Sequence, residues 1–325
     1  MTRFSGYRID RFARPQRRRP GQTGRMTWTK LYRLIKAGFG QGHFADYLPW
    51  LRVTKRDYSP RGNMGHLPSP DLGHKHHYRS CGEKNLILVL KWLGAVDARD
   101  QYPVWPWPHG HPAFGLPGHL DPSNVPGLWD IAIAKEIKHG YYVGSDVPYV
   151  ATLDILSTWI DAEGKYYLLA HEVKPHESVY EPDPLSRTKE RLELTRQYCI
   201  VVNIPQRISH AERLSPILTR NLDALAPRLA STRVHEIRES FDYRRIVEHC
   251  LKSAYDRPAS IAADEARGSL ASEIALSHLR LAIWFQDVDH DLSRELELWQ
   301  PLIAGGAQQR RALMAEWHGE VVCPQ

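Results

Sequence analysis

Two apolar stretches joined by a short turn place acidic residues at a spacing that favours one face of a β-hairpin. Asp154 lies in the first stretch, VPYVATLDILSTWI, and Glu172 lies near the end of the second, KYYLLAHEVKP. Both stretches are rich in the β-branched and aromatic residues that favour strands. The DAEG segment between them predicts a three-residue loop, 162–164, with Gly164 in the left-handed conformation. That loop length would set Asp154 opposite Glu172.

This register would bring three charged side chains together. Residues opposite each other share a face, and Lys174, two positions after Glu172, shares it as well. Two close carboxylates repel, so both stay ionised at neutral pH only with a cation between them. A hard divalent ion meets that need, and the lysine could stabilise developing negative charge or orient a water. A two-residue loop would instead put Asp154 and Glu172 on opposite faces.

The spacing D-x17-E-V-K matches the D…(D/E)-x-K signature of restriction-endonuclease-like folds, which cleave phosphodiester bonds. The signature is short, and chance matches are common. Charged residues on a strand more often belong to a solvated face, so the motif alone leaves both interpretations open.

A third acidic residue lies on a helix predicted from Ser80 to Val96. Apolar residues from Leu86 to Leu93 recur at helical spacing, and Glu83 extends their face. A carboxylate that points inward needs a partner. Glu83 could be a metal ligand, or it could complete a capping box by reaching back to the Ser80 amide. The residues alone favour neither interpretation.

Composition narrows the class of protein. A chain of 325 residues, 42% hydrophobic and with 10 Trp, suits about two globular domains. No apolar stretch approaches the roughly 18 residues that cross a membrane, and the first 25 residues lack the apolar segment of a signal peptide. The four cysteines lack C-x-x-C spacing, which predicts reduced thiols in a cytoplasm and argues against a zinc site or disulfides.

The positive charge is concentrated at the start of the chain. Residues 1–36 hold 11 basic residues and one acidic residue, a balance of +10, whereas the other 289 hold 32 basic and 36 acidic residues, a balance of −4. Residues 1–26 are therefore predicted to be a disordered basic extension that contacts phosphate backbones nonspecifically. Alternatively, the folded protein starts at Met26 and the preceding residues are dispensable.

Two further clusters carry weaker signals. His74, His76 and His77 could bind a metal, but the sequence offers no second group of ligands, so a surface histidine cluster near a nucleic-acid or metal site is favoured. The glycines of GFGQG lack a following G-K-[ST], which argues against a nucleotide-binding P-loop. A stretch rich in Pro, Gly and His at 106–129 predicts a long irregular insertion.

Alternating strands and helices predict a mixed α/β domain at 27–205, with CIVVNIP as a short buried strand near its end. Amphipathic helices follow, together with a strand-like piece, Leu281–Phe285. These fit a winged-helix-like domain at 206–325. DNA binding and partner docking suit such a domain equally, and its mixed charge favours partner docking.

Several stretches, in order, resemble the TnsA family, the endonuclease subunits of heteromeric (Tns-type) cut-and-paste transposases. GQGHFADYLPWL resembles the glycine-rich entry of that family, and HYRSCGEKNLILVLKWLGAVDARDQYPV resembles the helix with its first acidic residue and the strand after it. YVATLDIL and LLAHEVKP resemble its two active-site strands, and RTKERLELTRQYC resembles the helix behind them. The resemblance covers about residues 28–228 and is vague beyond them.

The resemblance implies a fold and a site. It implies a restriction-endonuclease-like N-terminal domain and a winged-helix-like C-terminal domain. It makes Glu83, Asp154 and Glu172 ligands of Mg²⁺, for which Mn²⁺ can substitute, and it makes Lys174 the catalytic lysine. The carbonyl of Val173 is a further implied ligand. It thereby favours the ligand role of Glu83 over the capping role.

The resemblance also implies a function. The chain would cleave the 5′ strands of double-stranded DNA at transposon ends, in a bacterial cytoplasm and associated with the nucleoid when active. A DDE-type transposase subunit would process the 3′ strands, and an AAA-type ATPase would regulate both. Two alternatives are a stand-alone restriction or repair nuclease and a non-catalytic assembly factor that bridges transposase and ATPase. The intact Glu-Asp-Glu-Lys set argues against the assembly factor.

Overall fold

A four-stranded sheet lies at the centre of the fold, in a computed structural model that describes residues 25–54, 64–180 and 187–318. The predicted basic extension lies almost entirely outside the described residues. The strands are β1 (Gly65–Ser69), β2 (His74–Tyr78), β3 (Asp97–Val104), β4 (His109–Gly110), β5 (Asn124–Val125), β6 (Ala151–Ile160), β7 (Tyr166–Val173) and β8 (Gln206–Ser209). The strand order of the central sheet is β3-β6-β7-β8; the first three strands are antiparallel, and β8 runs parallel to β7.

Helices make up the rest of the regular structure. They are α1 (Trp28–Lys36), α2 (Cys81–Leu93), α3 (Leu128–Ala134), α4 (His176–Tyr180), α5 (Thr188–Val201), α6 (Pro216–Leu225), α7 (Ser231–Glu239), α8 (Phe241–Ser253), α9 (Ala259–Glu265), α10 (Ser272–Phe285) and α11 (Gly306–His318), with short 3₁₀ turns at Phe44–Asp46 and Ala211–Arg213. Within the described ranges, each helix falls short of the length and apolar character needed to cross a bilayer.

The turn between β6 and β7 has the predicted loop length. The Asp161 amide donates to the Lys165 carbonyl at 3.0 Å, which closes a three-residue loop at 162–164. Gly164 has φ +79°, in the left-handed region. The prediction for this turn is confirmed. The mixed α/β class is also confirmed, with a central sheet.

The register of the hairpin follows from this turn. Ile155 pairs with His171, and one step further along the same register Asp154 lies opposite Glu172. Both acidic residues therefore project from the same face at the open end of the hairpin. On the far side of β7, Glu172 pairs with Ile208 of β8, so the strand that carries it has a neighbour on each edge.

Helix α2 is the central helix of the protein. Five consecutive residues, Leu86 to Leu90, are almost fully buried, as expected of a helix covered on all sides. One hydrophobic cluster joins α2 to strand residues such as Trp159 and to helices α6 to α10. Ser80 caps its N-terminus and Gly94 ends it in the left-handed conformation. The helix thus holds its first turn, with Glu83, at a fixed place.

The same hydrophobic cluster contains residues from both predicted domains, 27–205 and 206–325. Strand β8 begins at Gln206 and belongs to the central sheet, and the helices after it pack on α2. The division at residue 205 remains a prediction, but the packing joins the two sides through a common core.

The predicted strand CIVVNIP is wrong, because the apolar run ends helix α5. Cys199 and Val202 are buried, whereas Ile200 and Val201 are about 40% exposed. Together with buried Thr195 and Tyr198, these buried positions follow a helical period. The strand forms instead at Gln206–Ser209.

The predicted strand Leu281–Phe285 is also wrong, because these residues form the last turns of α10. Four consecutive residues, from Leu281 to Trp284, are buried, so this helix segment shows no polar face and resembles a buried strand in sequence. In the described part of the chain after β8, all regular structure is helical. The winged-helix prediction is therefore not confirmed.

The insertion at 106–129 is largely irregular, as predicted, but it is packed on the sheet. Strands β4 and β5 form a two-residue ladder within it, and Ala113 and Leu116 are buried. Its histidines hydrogen-bond to α5, β7 and the residue after α5: His109 with the Tyr198 hydroxyl, His111 to the Val202 carbonyl and His119 to the Tyr166 carbonyl, each at 2.8 Å.

Gly164→Ala is expected to destabilise the protein by about 1–2 kcal/mol, the cost of the left-handed conformation for a residue with a Cβ. A Cβ at this position would meet nothing within 4 Å, so the backbone alone determines the effect. Gly110→Ala is the matched control, because its Cβ would also enter open space and its φ lies outside the left-handed region. Urea unfolding of both variants measures the difference, and equal stabilities would contradict the role of the turn.

Candidate active site

Asp154, Glu172 and Lys174 meet at the open end of the β6–β7 hairpin. The Lys174 ammonium donates to Asp154 Oδ2 and lies 3.0 Å from Glu172 Oε2. The Val173 amide donates to the same Asp154 oxygen at 2.7 Å. The cation between the two carboxylates is therefore the lysine of the motif itself. Glu172 is buried, and Asp154 and Lys174 are partly exposed.

Lys174 is also fixed through its backbone. Its amide donates to the Ser209 carbonyl at 3.1 Å, and the His210 ring bonds to its carbonyl at 2.9 Å. These contacts come from β8 and the residue after it. The side chain of Lys174 therefore starts from a backbone that is fixed at the end of β7 by the neighbouring strand β8.

Glu83 approaches this trio from the first turn of α2. The Ser80 hydroxyl accepts from the Glu83 amide at 3.2 Å and donates to Glu83 Oε1 at 3.3 Å. Glu83 Oε2 accepts from the Arg79 amide at 2.8 Å. The capping interaction is present, but it uses the Arg79 amide and not the predicted Ser80 amide. The charges of Asp154 and Lys174 also act on this carboxylate and shift the pKa of Glu83 in opposite directions.

Gln101 also contacts this cluster, although no residue pattern in the sequence predicts it. Its side-chain amide donates to Glu83 Oε2 at 3.2 Å, and its carbonyl oxygen accepts from the Thr152 hydroxyl at 3.4 Å. It lies across from Asp154 in the β3–β6 register, and its φ of +51° interrupts the ladder there. Positive φ is uncommon for residues other than glycine and often marks a functional site. In the sequence, only the resemblance of the stretch RDQYP to a strand of the TnsA family indicates this segment.

The electrostatics of the cluster reflect an excess of negative charge. Burial raises the pKa of Glu83 to about 7, with the Asp154 charge as the next contribution. Burial also raises the pKa of Glu172 to about 7, although Lys174 opposes the shift. Burial acts to lower the pKa of Lys174, but Asp154 and Glu172 outweigh it and raise that pKa. One ammonium therefore faces three carboxyl groups.

This donor set fits a hard divalent cation. Glu83, Asp154 and Glu172 offer carboxylate oxygens, the ligands that Mg²⁺ and Mn²⁺ prefer. The raised pKa values of the two glutamates arise from burial and like charge, and a cation beside them would stabilise their ionised forms. The ligand roles of these residues, and of the Val173 carbonyl, remain predictions.

A cavity of 730 Å³ opens over the hairpin end. Its floor includes Asp154, Glu172 and Lys174, and tyrosines and basic side chains form other parts of its wall. The basic residues come from two separate segments and so formed no pattern in the sequence; they are Lys138, Arg187 and Arg191. Cations around an acidic floor suit a ligand that carries phosphates.

The histidine cluster lies elsewhere, on β2. His76 and His77 are buried, so the prediction of a surface cluster is wrong for both. The surface assignment failed because the neighbouring residues are polar, whereas β2 pairs with β1 and contacts β3. Asp100 of β3, which is far away in sequence, lies beside His76.

Comparison with known proteins gives one informative match. No family model matches the chain. Over 197 residues it is 32% identical to the transposon Tn7 transposition protein TnsA of Escherichia coli. The chain is similar to TnsA. The matched region covers 60% of this chain and 62% of the relative, so the chain spans less than two thirds of that protein. The resemblance drawn from the ordered motifs is confirmed.

The stability difference between wild type and Glu172→Gln is expected to depend on pH. A pKa raised from 4.5 to about 7 contributes stability that is fully present below pH 4.5 and is lost as the pH rises through about 7. Without divalent ions, the wild type should therefore lose on the order of 2 kcal/mol relative to the variant between pH 4.5 and pH 8. Urea unfolding in chelator measures this difference.

Buried histidines such as His139, whose pKa burial lowers to about 4, act in the opposite direction but cancel in the comparison. Glu163→Gln, on the exposed turn of the same hairpin, is the control and should show no such trend. A difference between wild type and Glu172→Gln that stays constant with pH would contradict the raised pKa.

Proposed function

We propose that the chain is a metal-dependent DNA endonuclease that works as a subunit of a heteromeric transposase. The observation that carries the proposal is the convergence of Asp154, Glu172 and Lys174 at one end of a cavity with basic walls, with Glu83 in electrostatic contact with Asp154 and Lys174. The similarity to a transposition protein supports the proposed role of this endonuclease in a transposase.

In the proposed reaction, water attacks a DNA phosphodiester at the cavity floor. Glu83, Asp154 and Glu172 would hold Mg²⁺, or Mn²⁺ in its place, and the bound ion would supply charge stabilisation at the phosphoryl group. Lys174, kept protonated by its two carboxylate neighbours, would stabilise the negative charge that develops on the phosphate or orient the water. Gln101 would hold Glu83 in position.

The cavity wall would bind the DNA backbone. Arg191 is exposed on α5 at the cavity, and Arg187 donates to the Lys138 carbonyl, which joins the two wall segments. Guanidinium and ammonium groups contact phosphates without reading sequence. The histidines of the insertion at 106–129 bond near the opposite end of α5, and Leu128, at the end of the insertion, lines the cavity.

The proposed complex with other subunits rests on the resemblance to TnsA. The chain would cut the 5′ strands of double-stranded DNA at transposon ends, beside a DDE-type transposase subunit and under an AAA-type ATPase regulator. Its C-terminal segment, 206–325, would dock a partner. The setting would be the bacterial cytoplasm, with association to the nucleoid during transposition.

Asp154→Asn and Glu172→Gln are each expected to reduce 5′-strand cleavage roughly 100-fold or more, because each removes a charge that the transition state requires. The assay is cleavage of end-labelled transposon-end DNA with the partner subunits present. Chelator should abolish wild-type cleavage, and Mg²⁺ or Mn²⁺ should restore it. Glu163→Gln, on the exposed turn of the same hairpin, is the control.

Asp154→Asn cutting at the wild-type rate would refute the site, and recovery with Zn²⁺ alone would refute the hard-ion assignment. Equal cleavage by the wild-type chain without partners would favour the stand-alone nuclease.

Arg191→Ala is expected to weaken binding of a short DNA duplex and to reduce the slope of log K against log salt by about one, the effect of losing one phosphate contact. Arg196→Ala is the matched control on the same helix, because Arg196 pairs with Glu193 and lies outside the cavity. Binding is measured by fluorescence anisotropy over a range of salt concentrations. Equal slopes for the two variants would place the DNA elsewhere.

A further inference from the structure

Three metal-ligating residues lie together outside the proposed active site. They are His74 and His76 of β2 and Asp100 of β3, and one ligand atom from each lies within 4.8 Å of those of the other two. His76 Nδ1 is 3.0 Å from Asp100 Oδ1, and the two imidazole rings are 5.2 Å apart. The histidines share a face of β2 because they are two positions apart.

Both histidines have a buried nitrogen that the protein leaves unused. His74 Nε2 and His76 Nε2 are shielded from solvent and have no hydrogen-bond partner among the described residues. His76 is fully buried. Buried polar atoms are nearly always paired in native proteins, so the unpaired His74 Nε2 requires a cause. On His76 the atom that can share an ion with the carboxylate is Nδ1, which lies 3.0 Å from Asp100 Oδ1, because Nε2 lies on the other edge of the ring. A metal ion is the partner that imidazole nitrogens and a carboxylate share.

The surrounding contacts fix the ligands as a metal site requires. His74 Nδ1 bonds to the Leu72 carbonyl, which leaves Nε2 as the ligand atom. Asp100 Oδ2 accepts from the His77 amide at 2.9 Å, and the Asp100 carbonyl accepts from the Tyr47 hydroxyl at 2.8 Å. Hydrogen bonds of this kind orient metal ligands in known sites.

We propose that His74, His76 and Asp100 bind a Zn²⁺ ion that links β2 to β3. Two imidazoles and one carboxylate suit Zn²⁺, whereas Mg²⁺ prefers oxygen ligands alone. Asp100 directly precedes Gln101, whose side chain holds Glu83. The ion would therefore stabilise the strand that supports the proposed active site. The proposal rests on these contacts and not on the nuclease function.

The test is Zn²⁺ binding by the full chain carrying Asp154→Asn and Glu172→Gln, so that the acidic cluster competes weakly. Titration of metal-free protein against a chromophoric chelator should give about one Zn²⁺ per chain. Zn²⁺ should also raise the thermal unfolding midpoint, because it binds only the folded state. Mg²⁺ at the same concentration should do neither.

His74→Ala carries the mutational test, since it is only half-buried and its loss is tolerated more readily than that of His76. It should weaken Zn²⁺ binding at least about tenfold and abolish the shift in unfolding midpoint. His66→Ala on β1 is the matched control, because His66 is exposed and contacts His77 on the other face. The proposal is overturned if the parent binds no stoichiometric Zn²⁺, or if His74→Ala binds it as tightly as His66→Ala.

Discussion

The ion pair of Lys174 with Asp154 and Glu172 is the interaction on which the arrangement of the site depends. Two carboxylates at the end of one hairpin repel each other, and burial makes the repulsion stronger because the local dielectric is low. The ammonium of Lys174, the residue directly after β7, offsets that repulsion. It does not offset all of it, since a third carboxyl group, Glu83, arrives from α2. The remaining negative charge would favour a bound cation, as the proposed function requires.

Two consecutive residues of strand β3 contact two different clusters, the carboxylate cluster and the histidine cluster. Gln101 bonds to Glu83 within the carboxylate cluster, whereas Asp100 bonds to His76 in the histidine cluster. Oxygen donors dominate the first group and imidazole nitrogens the second, so the two would select different ions. Gln101 has a positive φ, and at this residue the strand departs from regular pairing. Its side chain bonds to Glu83 of the carboxylate cluster.

The parts of the site that the sequence predicts are local, and the parts it misses are not. The hairpin register depends on one turn and a period of two, so Asp154 and Glu172 could be placed from a single segment. Asp100 meets His76 only because β2 contacts β3 across 23 intervening residues. The absence of cysteine pairs argued against zinc, yet histidine and aspartate can supply such a site without them. Apolar runs without a polar face, as in α10, cannot distinguish helix from strand.

The carboxylate cluster depends on the part of the chain that follows the predicted domain boundary. Ser209 and His210 fix the backbone of Lys174, and β8 covers the edge of β7. Helices α6 to α10 bury the side of α2 that the sheet leaves uncovered. Removing them would expose a row of leucines on the helix that carries Glu83, at a cost of about 25 cal/mol for each Å² of apolar surface. The C-terminal helices therefore share one hydrophobic core with the helix that carries Glu83.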